Sequence, residues 1–271
     1  MISVYGGSGF IGGEFCKTFS SNVIKISREE RKPESDEILY FISTTSNYNV
    51  KENLHLDIDT NLNLLMDVLE YCKKGNITFN FVSSGFVYGS DIINARETDI
   101  PDPKGFYSIT KRTAEQLLIS FCETFGCKYR IFRLSNVYGT DKTISQSKNV
   151  LAFLINKMKR NEDIQVYDGG IVYRDYMHVS DYAHAIKLLM DQSEVNQIYN
   201  IGAGQPTYFY DIIRTAKDFL GSSSCFLSIE SPDFYKKVQC KNFYLNLNKL
   251  SQYNFVPQIN LQQGIKQLCT N

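Results

Sequence analysis

Short apolar runs alternate with longer stretches of helical spacing through the first two hundred residues. "MISVY" reads as a strand, and after the glycines of "GGSGFIGG" a helix carries Phe10, Ile11, Phe15 and Phe19 on or near one face. "SNVIKIS" and "EILYFISTT" are the second and third strands. "TNLNLLMDVLEYCKK" spaces Leu62, Leu65, Met66 and Leu69 as a helix does, with Gly75 suited to its C-terminal cap. "ITFNFVSS" is a fourth strand, "YSITKRTAEQLLISFCETFG" a long helix and "KYRIFRLSNVYG" a fifth strand. "NVLAFLINKMKRN" and "VSDYAHAIKLLMDQ" read as helices, and "QIYNIGAG" as a sixth strand. Such alternation predicts an α/β fold: a doubly wound, mainly parallel sheet with helices on both faces. Beyond Gly204 the texture changes to shorter segments rich in Ser, Asn, Tyr and Phe. The expected division is a dinucleotide-binding domain at 1–138 and 176–204, with a small C-terminal substrate lobe built from 139–175 and 205–271.

The first turn carries chemistry. Gly7, Gly9 and Gly12 satisfy G-x-G-x-x-G, and Gly6, Gly9 and Gly12 also satisfy G-x-x-G-x-x-G. Glycines here permit a sharp turn, close approach to a pyrophosphate and tight helix–strand contact, and the following helix offers free N–H groups to phosphate. Because the pattern follows a strand and opens a helix, it predicts a Rossmann-type cofactor site involving Gly6, Gly9, Phe10, Ile11 and Gly12. An acid about 20 residues on would hold a ribose 2′-hydroxyl. "VIKISREE" places Ser27 and Arg28 there instead, which suits the 2′-phosphate of NADP, whereas Glu29 or Glu30 reaching back would suit NAD. NADP is favoured over NAD on this reading. Ser43, at the end of the third apolar run, is the remaining candidate on the cofactor side.

Tyr107 and Lys111 stand four apart, on one helix face. A cation there is expected to depress the phenol pKa, so that the tyrosine exchanges a proton near neutral pH while a hydride moves at an adjacent carbon. Upstream, "FVSSGFVYG" ends a strand in Ser83 and Ser84, and ligands of doubly wound sheets meet strand carboxyl ends. Ser84, Tyr107 and Lys111 are therefore the candidate catalytic set.

Composition narrows the rest. The chain has 271 residues, 43% apolar, enough for a large core in one or two domains. With 29 basic and 29 acidic residues the net charge is +0, giving no electrostatic reason to expect nucleic acid. Seven dispersed cysteines without a CxxC pair read as reduced thiols, and no ligand cluster suggests a metal. No apolar run reaches membrane-spanning length and no signal-type leader is visible, so a cytoplasmic protein is expected.

Together these motifs resemble the extended short-chain dehydrogenase/reductase family, in particular its nucleotide-sugar epimerases, dehydratases and reductases. "GGSGFIG", "SSGFVYG", "YSITK", "RLSNVYG", "YRDYMHVSD" and "IYNIGAG" are each similar to a family segment, and "LNLNKLSQYNFVPQINLQQGI" resembles its C-terminal lobe. The resemblance implies that Ser84 supplies the catalytic hydroxyl and is in contact with substrate, that Asn136 contacts the nucleotide diphosphate, and that Arg174 holds ribose or phosphate. It places Asn61 where the family braces its active-site helix, a position a helix start also explains. A local ion pair with Asp175 is the other reading of Arg174, and ordering of a helix start the expected role of His178. Two departures stand out. Only "REERKPESD" separates the second and third strands, where the family usually carries a further strand and helix, so the adenine end should be more open. Gly85 and Phe86 occupy the places of the dehydratases' Asp–Glu pair, which disfavours dehydration.

The expected function is thus NAD(P)-dependent reduction of a nucleotide-activated 4-keto-6-deoxy sugar. A 4-epimerase with tightly bound NAD is the close alternative, and a non-catalytic Rossmann binding or regulatory protein the alternative from another class. The resemblance also suggests a homodimer that pairs the Tyr107 helix with the one over 60–74.

Overall fold

The computed structural model describes residues 1–90, 92–140 and 150–270. Its central sheet contains β1 (Ile2–Tyr5), β2 (Val23–Lys25), β3 (Glu37–Tyr40), β4 (Thr78–Ser84), β5 (Lys128–Leu134) and a sixth strand, Gln197–Ile201. The spatial order is Gln197–Ile201, β5, β4, β3, β1, β2, and every neighbouring pair is parallel. All strands therefore end on one side, where Ser84 faces Leu134 in register. One face packs against the helices Leu64–Cys72 and Phe106–Phe125 through Tyr40, Phe79, Phe81 and Leu118. The other packs against Phe10–Thr18 and Val179–Gln192 through Val4, Phe132, Tyr182 and Leu189. Each large apolar side chain buried this way contributes about 1.5–3 kcal/mol.

The shortened connection between β2 and β3 has a structural answer. Tyr5 Oη donates to the Arg31 carbonyl at 2.8 Å, and Ser3 Oγ accepts from the Glu34 and Ser35 N–H groups at 2.9 Å. Arg31 also meets Asp67 at 3.5 Å. The segment from 26 to 36 thus runs back across β1 toward the helix Leu64–Cys72, and β2 is left as the border of the sheet.

Some boundaries differ from the pattern reading. The run from 128 to 139 divides after Leu134, because Asn136–Tyr138 leaves the sheet to pair with Tyr176–His178. The helix expected from 60 begins earlier, at the turn Leu56–Ile58, and passes through a π-type turn, Asp59–Asn63, into Leu64–Cys72. The late segments are more ordered than their composition suggests. Helices Val150–Lys159, Phe209–Leu220 and Leu261–Thr270 enclose Ile155, Met158, Ile212, Ile213, Ile265 and Leu268. Strands Ile164–Tyr167 and Phe226–Ile229 pair beside them. Residues 141–149 of the expected substrate lobe lie outside the described residues. No described helix is long and apolar enough to cross a membrane, and no group of metal-ligating side chains gathers among the described residues.

Candidate active site

The glycine turn joins β1 to the helix Phe10–Thr18. Gly6 has φ of 74°, a left-handed conformation that disfavours a side chain, and its carbonyl accepts the Gly9 N–H at 3.0 Å. Gly9 is the N-cap residue, and a Cβ on Gly12 would collide with the Gly6 carbonyl oxygen. Of the two glycine spacings, Gly6–Gly9–Gly12 therefore carries the backbone demand. No acidic residue stands in the first turn of that helix, so its free N–H groups present positive potential to an anion. The cradle fits a pyrophosphate.

Ser27 and Arg28 follow the end of β2 with exposed side chains. Glu29 is exposed as well. Glu30 is turned into its own loop: its Oε1 accepts the Arg31 and Lys32 N–H groups, each at 2.7 Å. Those two backbone bonds lower its pKa.

Ser84 ends β4 in extended conformation, and its hydroxyl accepts the Phe86 N–H at 3.2 Å as the chain turns through Gly85–Tyr88. Tyr107 lies in the first turn of the helix Phe106–Phe125, after Gly105 at φ of 78°. The structure brings the hydroxyls of Ser84 and Ser43 beside the Tyr107 phenol, close enough for both to act on its ionisation. Burial nevertheless raises the phenol pKa, Asp57 adds to the rise, and the two serines oppose it. The depression expected from Lys111 is not found. That side chain, 2% exposed, donates from Nζ to the Val82 carbonyl at 2.6 Å and lies 4.2 Å above the Phe81 ring. Burial lowers its own pKa to about 7, against the pull of Glu115. An i, i+4 spacing fixes a shared helix face but not where the ammonium points.

Behind the pair, the π-type turn delivers Asn61 into the protein. Its Oδ1 accepts from Ser43 Oγ at 3.1 Å and Thr44 N at 2.9 Å, while its Nδ2 donates to Thr44 Oγ1 at 2.9 Å and Thr110 Oγ1 at 2.8 Å. The Tyr107 helix is thereby braced to the end of β3. Thr44 Oγ1 donates in turn to Asp57, which is 1% exposed and leaves Oδ2 without a partner. Deeper along the helix, Glu115 accepts from Ser83 Oγ at 2.6 Å, and from Arg133 through Nε at 3.0 Å and Nη2 at 2.7 Å.

The facing wall holds Arg174, whose Nη2 donates to the Cys240 carbonyl at 2.7 Å and whose guanidinium lies 5.4 Å from the Phe86 ring. Its Nε is buried without a partner, as is Asn136 Oδ1. Asp175 is not its ion-pair partner. That carboxylate is fully buried and accepts the N–H groups of Ala203, Gly204 and Leu245. His178 caps the helix Val179–Gln192, taking the Ser180 N–H at 3.3 Å. Phe243 packs edge-on against Phe86, and its ring fills the space a side chain at Gly85 would need.

Four participants escaped the sequence reading: Asp57, Thr44, Thr110 and Phe243. Only Asn61, at the family's bracing position, pointed toward the first three. Phe243 lay in the polar tail with no signal.

Comparison with known proteins agrees with this architecture. The family model described as "NAD dependent epimerase/dehydratase family" matches residues 31–202. A putative UDP-glucose 4-epimerase of Methanocaldococcus jannaschii is 28% identical, covering 99% of this chain and 97% of its own. The crystal structure of UDP-glucose 4-epimerase from Thermotoga maritima with UDP-glucose superposes with a TM-score of 0.88 at 23% identity, covering 99% of this chain and 97% of that one. RMD from Pseudomonas aeruginosa complexed with NADPH gives 0.84 at 21% identity, with 99% and 97% coverage.

Proposed function

We propose that this chain, which belongs to the NAD dependent epimerase/dehydratase family, reduces a nucleotide-activated keto sugar, specifically a 4-keto-6-deoxy sugar, with NADPH favoured over NADH. The observation that carries the reading is the meeting of the Ser84 and Tyr107 hydroxyls at the carboxyl end of β4. Ser84 donates a hydrogen bond to the substrate oxygen, and Tyr107 gives that oxygen its proton as negative charge develops. A bound nicotinamide supplies the hydride. Lys111, held by Val82, keeps N–H donors for the nicotinamide ribose. Phe10, Ile11 and the glycine cradle hold the remainder of the cofactor, with Ser43 beside it. Exposed Ser27 and Arg28, together with Glu30 bound to its own loop, support the preference for a 2′-phosphate.

Arg174, from the lobe formed by 139–175 and 205–271, and Asn136, just before that lobe begins, each have a buried unpartnered atom and hold the nucleotide. Binding energy from this remote group orients the sugar over the reacting pair. Gly85, closed off by Phe243, and Phe86 offer no acid or base for elimination. The protein works in the cytoplasm as a homodimer. The exposed Met66, Tyr71, Ile109 and Leu117 on the two helices support such pairing.

Replacing Tyr107 with Phe tests the assignment: cofactor binding should persist while turnover falls by at least a hundredfold. Retained turnover, or unchanged biological activity, refutes it and favours a non-catalytic binding role. Epimerisation is the second reading, supported by the relatives named as 4-epimerases. Mass spectrometry of the copurified nucleotide and a panel of sugar nucleotides separate the two. Retained NAD without net consumption means epimerisation, and consumption of free NADPH means reduction.

A further inference from the structure

We propose that the segment 232–238 is a strap that gates the site: a latch of Asn47 and Phe234 closes it across the two lobes, and release of that latch admits the sugar nucleotide. The proposal rests on the reading above only in placing the nucleotide at Arg174 and the sugar at Tyr107, and goes beyond it by naming what controls entry.

The latch joins segments far apart in the chain. Asn47 follows β3 in the cofactor domain, and its Nδ2 donates to the Val238 carbonyl at 3.0 Å. The Phe234 ring packs against Tyr48 with centroids 5.4 Å apart, and Lys51 Nζ lies 4.5 Å from the same ring. These contacts converge on Gly105, two residues before Tyr107. A Cβ there would collide with Asn47 Oδ1 and come within 3.1 Å of Val238 Cβ. On the other side of the strap, Arg174 Nη2 donates to Tyr235 Oη at 3.5 Å. One short segment therefore reaches from the start of the Tyr107 helix to Arg174, and a substrate that engages both lies against it.

The segment is built to move between fixed ends. Ser231, 3% exposed, donates its N–H to Asp168 Oδ1 at 3.1 Å. Cys240, 4% exposed, donates from Sγ to the Gly89 carbonyl at 2.8 Å, and Ser90 Oγ adds a bond to the Gln239 carbonyl at 3.2 Å. Between these anchors the helix Asp233–Val238 has six residues, none of them buried. The closed position also carries a penalty of its own. Asn47 Oδ1 and Gln239 Oε1 are buried without hydrogen-bond partners. Opening returns both amide oxygens to water, which offsets the loss of the Asn47 bond and the ring contact. Elements with few buried apolar contacts open most readily, and active-site lids are drawn from them.

Two measurements test the gate. Hydrogen–deuterium exchange read by mass spectrometry needs no ligand. In Asn47→Ala the strap should exchange about fivefold faster than in the parent, the factor one hydrogen bond is worth. Phe234→Ala should accelerate it likewise, with the strand Phe226–Ile229 unchanged in both. The chain contains no tryptophan, so Tyr48→Trp places a single indole on the latch for stopped-flow binding of UDP-glucose. Adding Asn47→Ala to that background should raise the association and dissociation rates together, about fivefold each, because the latch is the same with ligand inside; Kd should hold within about twofold. Unchanged exchange in either latch variant overturns the gate. So does a weaker Kd carried by dissociation alone, which would make Asn47 an ordinary sugar contact. Failure of UDP-glucose to bind the parent refutes the placement of the nucleotide at Arg174, and exchange still decides whether the strap opens.

Discussion

Glu115 offers the most demanding quantitative prediction. This carboxylate is fully buried and joins three elements: the Tyr107 helix, β4 through Ser83, and β5 through Arg133. Arg133 is 1% exposed, lies 4.7 Å over the Tyr88 ring, and already has Nη1 without a partner. Burial alone would lower the Arg133 pKa, but the paired carboxylate more than offsets it. Glu115→Gln keeps the shape and deletes the compensating charge, so the guanidinium is left desolvated. Removing one partner of such a pair costs about 3–5 kcal/mol. Arg112, also paired with Glu115, should add little because it can turn toward water. Urea unfolding followed by linear extrapolation would show the loss as a lower midpoint with unchanged slope. The double variant Glu115→Leu/Arg133→Met removes both charges and should recover to within about 2 kcal/mol of the parent. A loss below about 1 kcal/mol in Glu115→Gln, or a double variant no better than the single, would refute the view that an uncompensated buried charge is what matters.

Three further outcomes can be checked. Gly12→Ala drives a methyl into the Gly6 carbonyl and should weaken cofactor binding at least tenfold by isothermal titration calorimetry, while a change at exposed Glu29 should not. Lys111, its pKa lowered to about 7, releases its proton in the folded state while the unfolded chain still holds it. The unfolded state therefore binds more protons between pH 7 and 9, and stability should rise with pH across that window. Lys111→Met should flatten the rise in a denaturation series. Gly85→Asp, restoring an acid at a dehydratase position, should lower stability by about 1–3 kcal/mol through collision with Phe243 and confer no dehydratase activity.

The sheet and its helices were legible because buried parallel strands and two-sided helix layers impose strong apolar spacing. Val179–Gln192 coincides with the segment its pattern marked. Local spacing cannot anticipate tertiary competition, so the division at Ser135 was invisible: just past it the Asn136 N–H turns from the sheet to the Asp175 carbonyl. In Phe209–Leu220 the apolar face of Ile212, Ile213 and Ala216 was present but diluted by tyrosine and charge. For the site, Ser84 and Tyr107 could be read because a strand end and a helix start fix their placement. The direction of Lys111 and the burial of Asp57 could not, since each depends on what other segments pack around a long or short polar side chain.

A sheet whose border strand has one side unpaired faces an assembly hazard. A bare strand border invites a second molecule to add a strand, and eventually aggregation. Here β2 is only three residues long, ends in exposed Lys25 and follows directly on the turn Ser20–Asn22. So short a strand, closed by a charge, offers a neighbour little backbone to pair with, where a longer apolar one would have needed a cover.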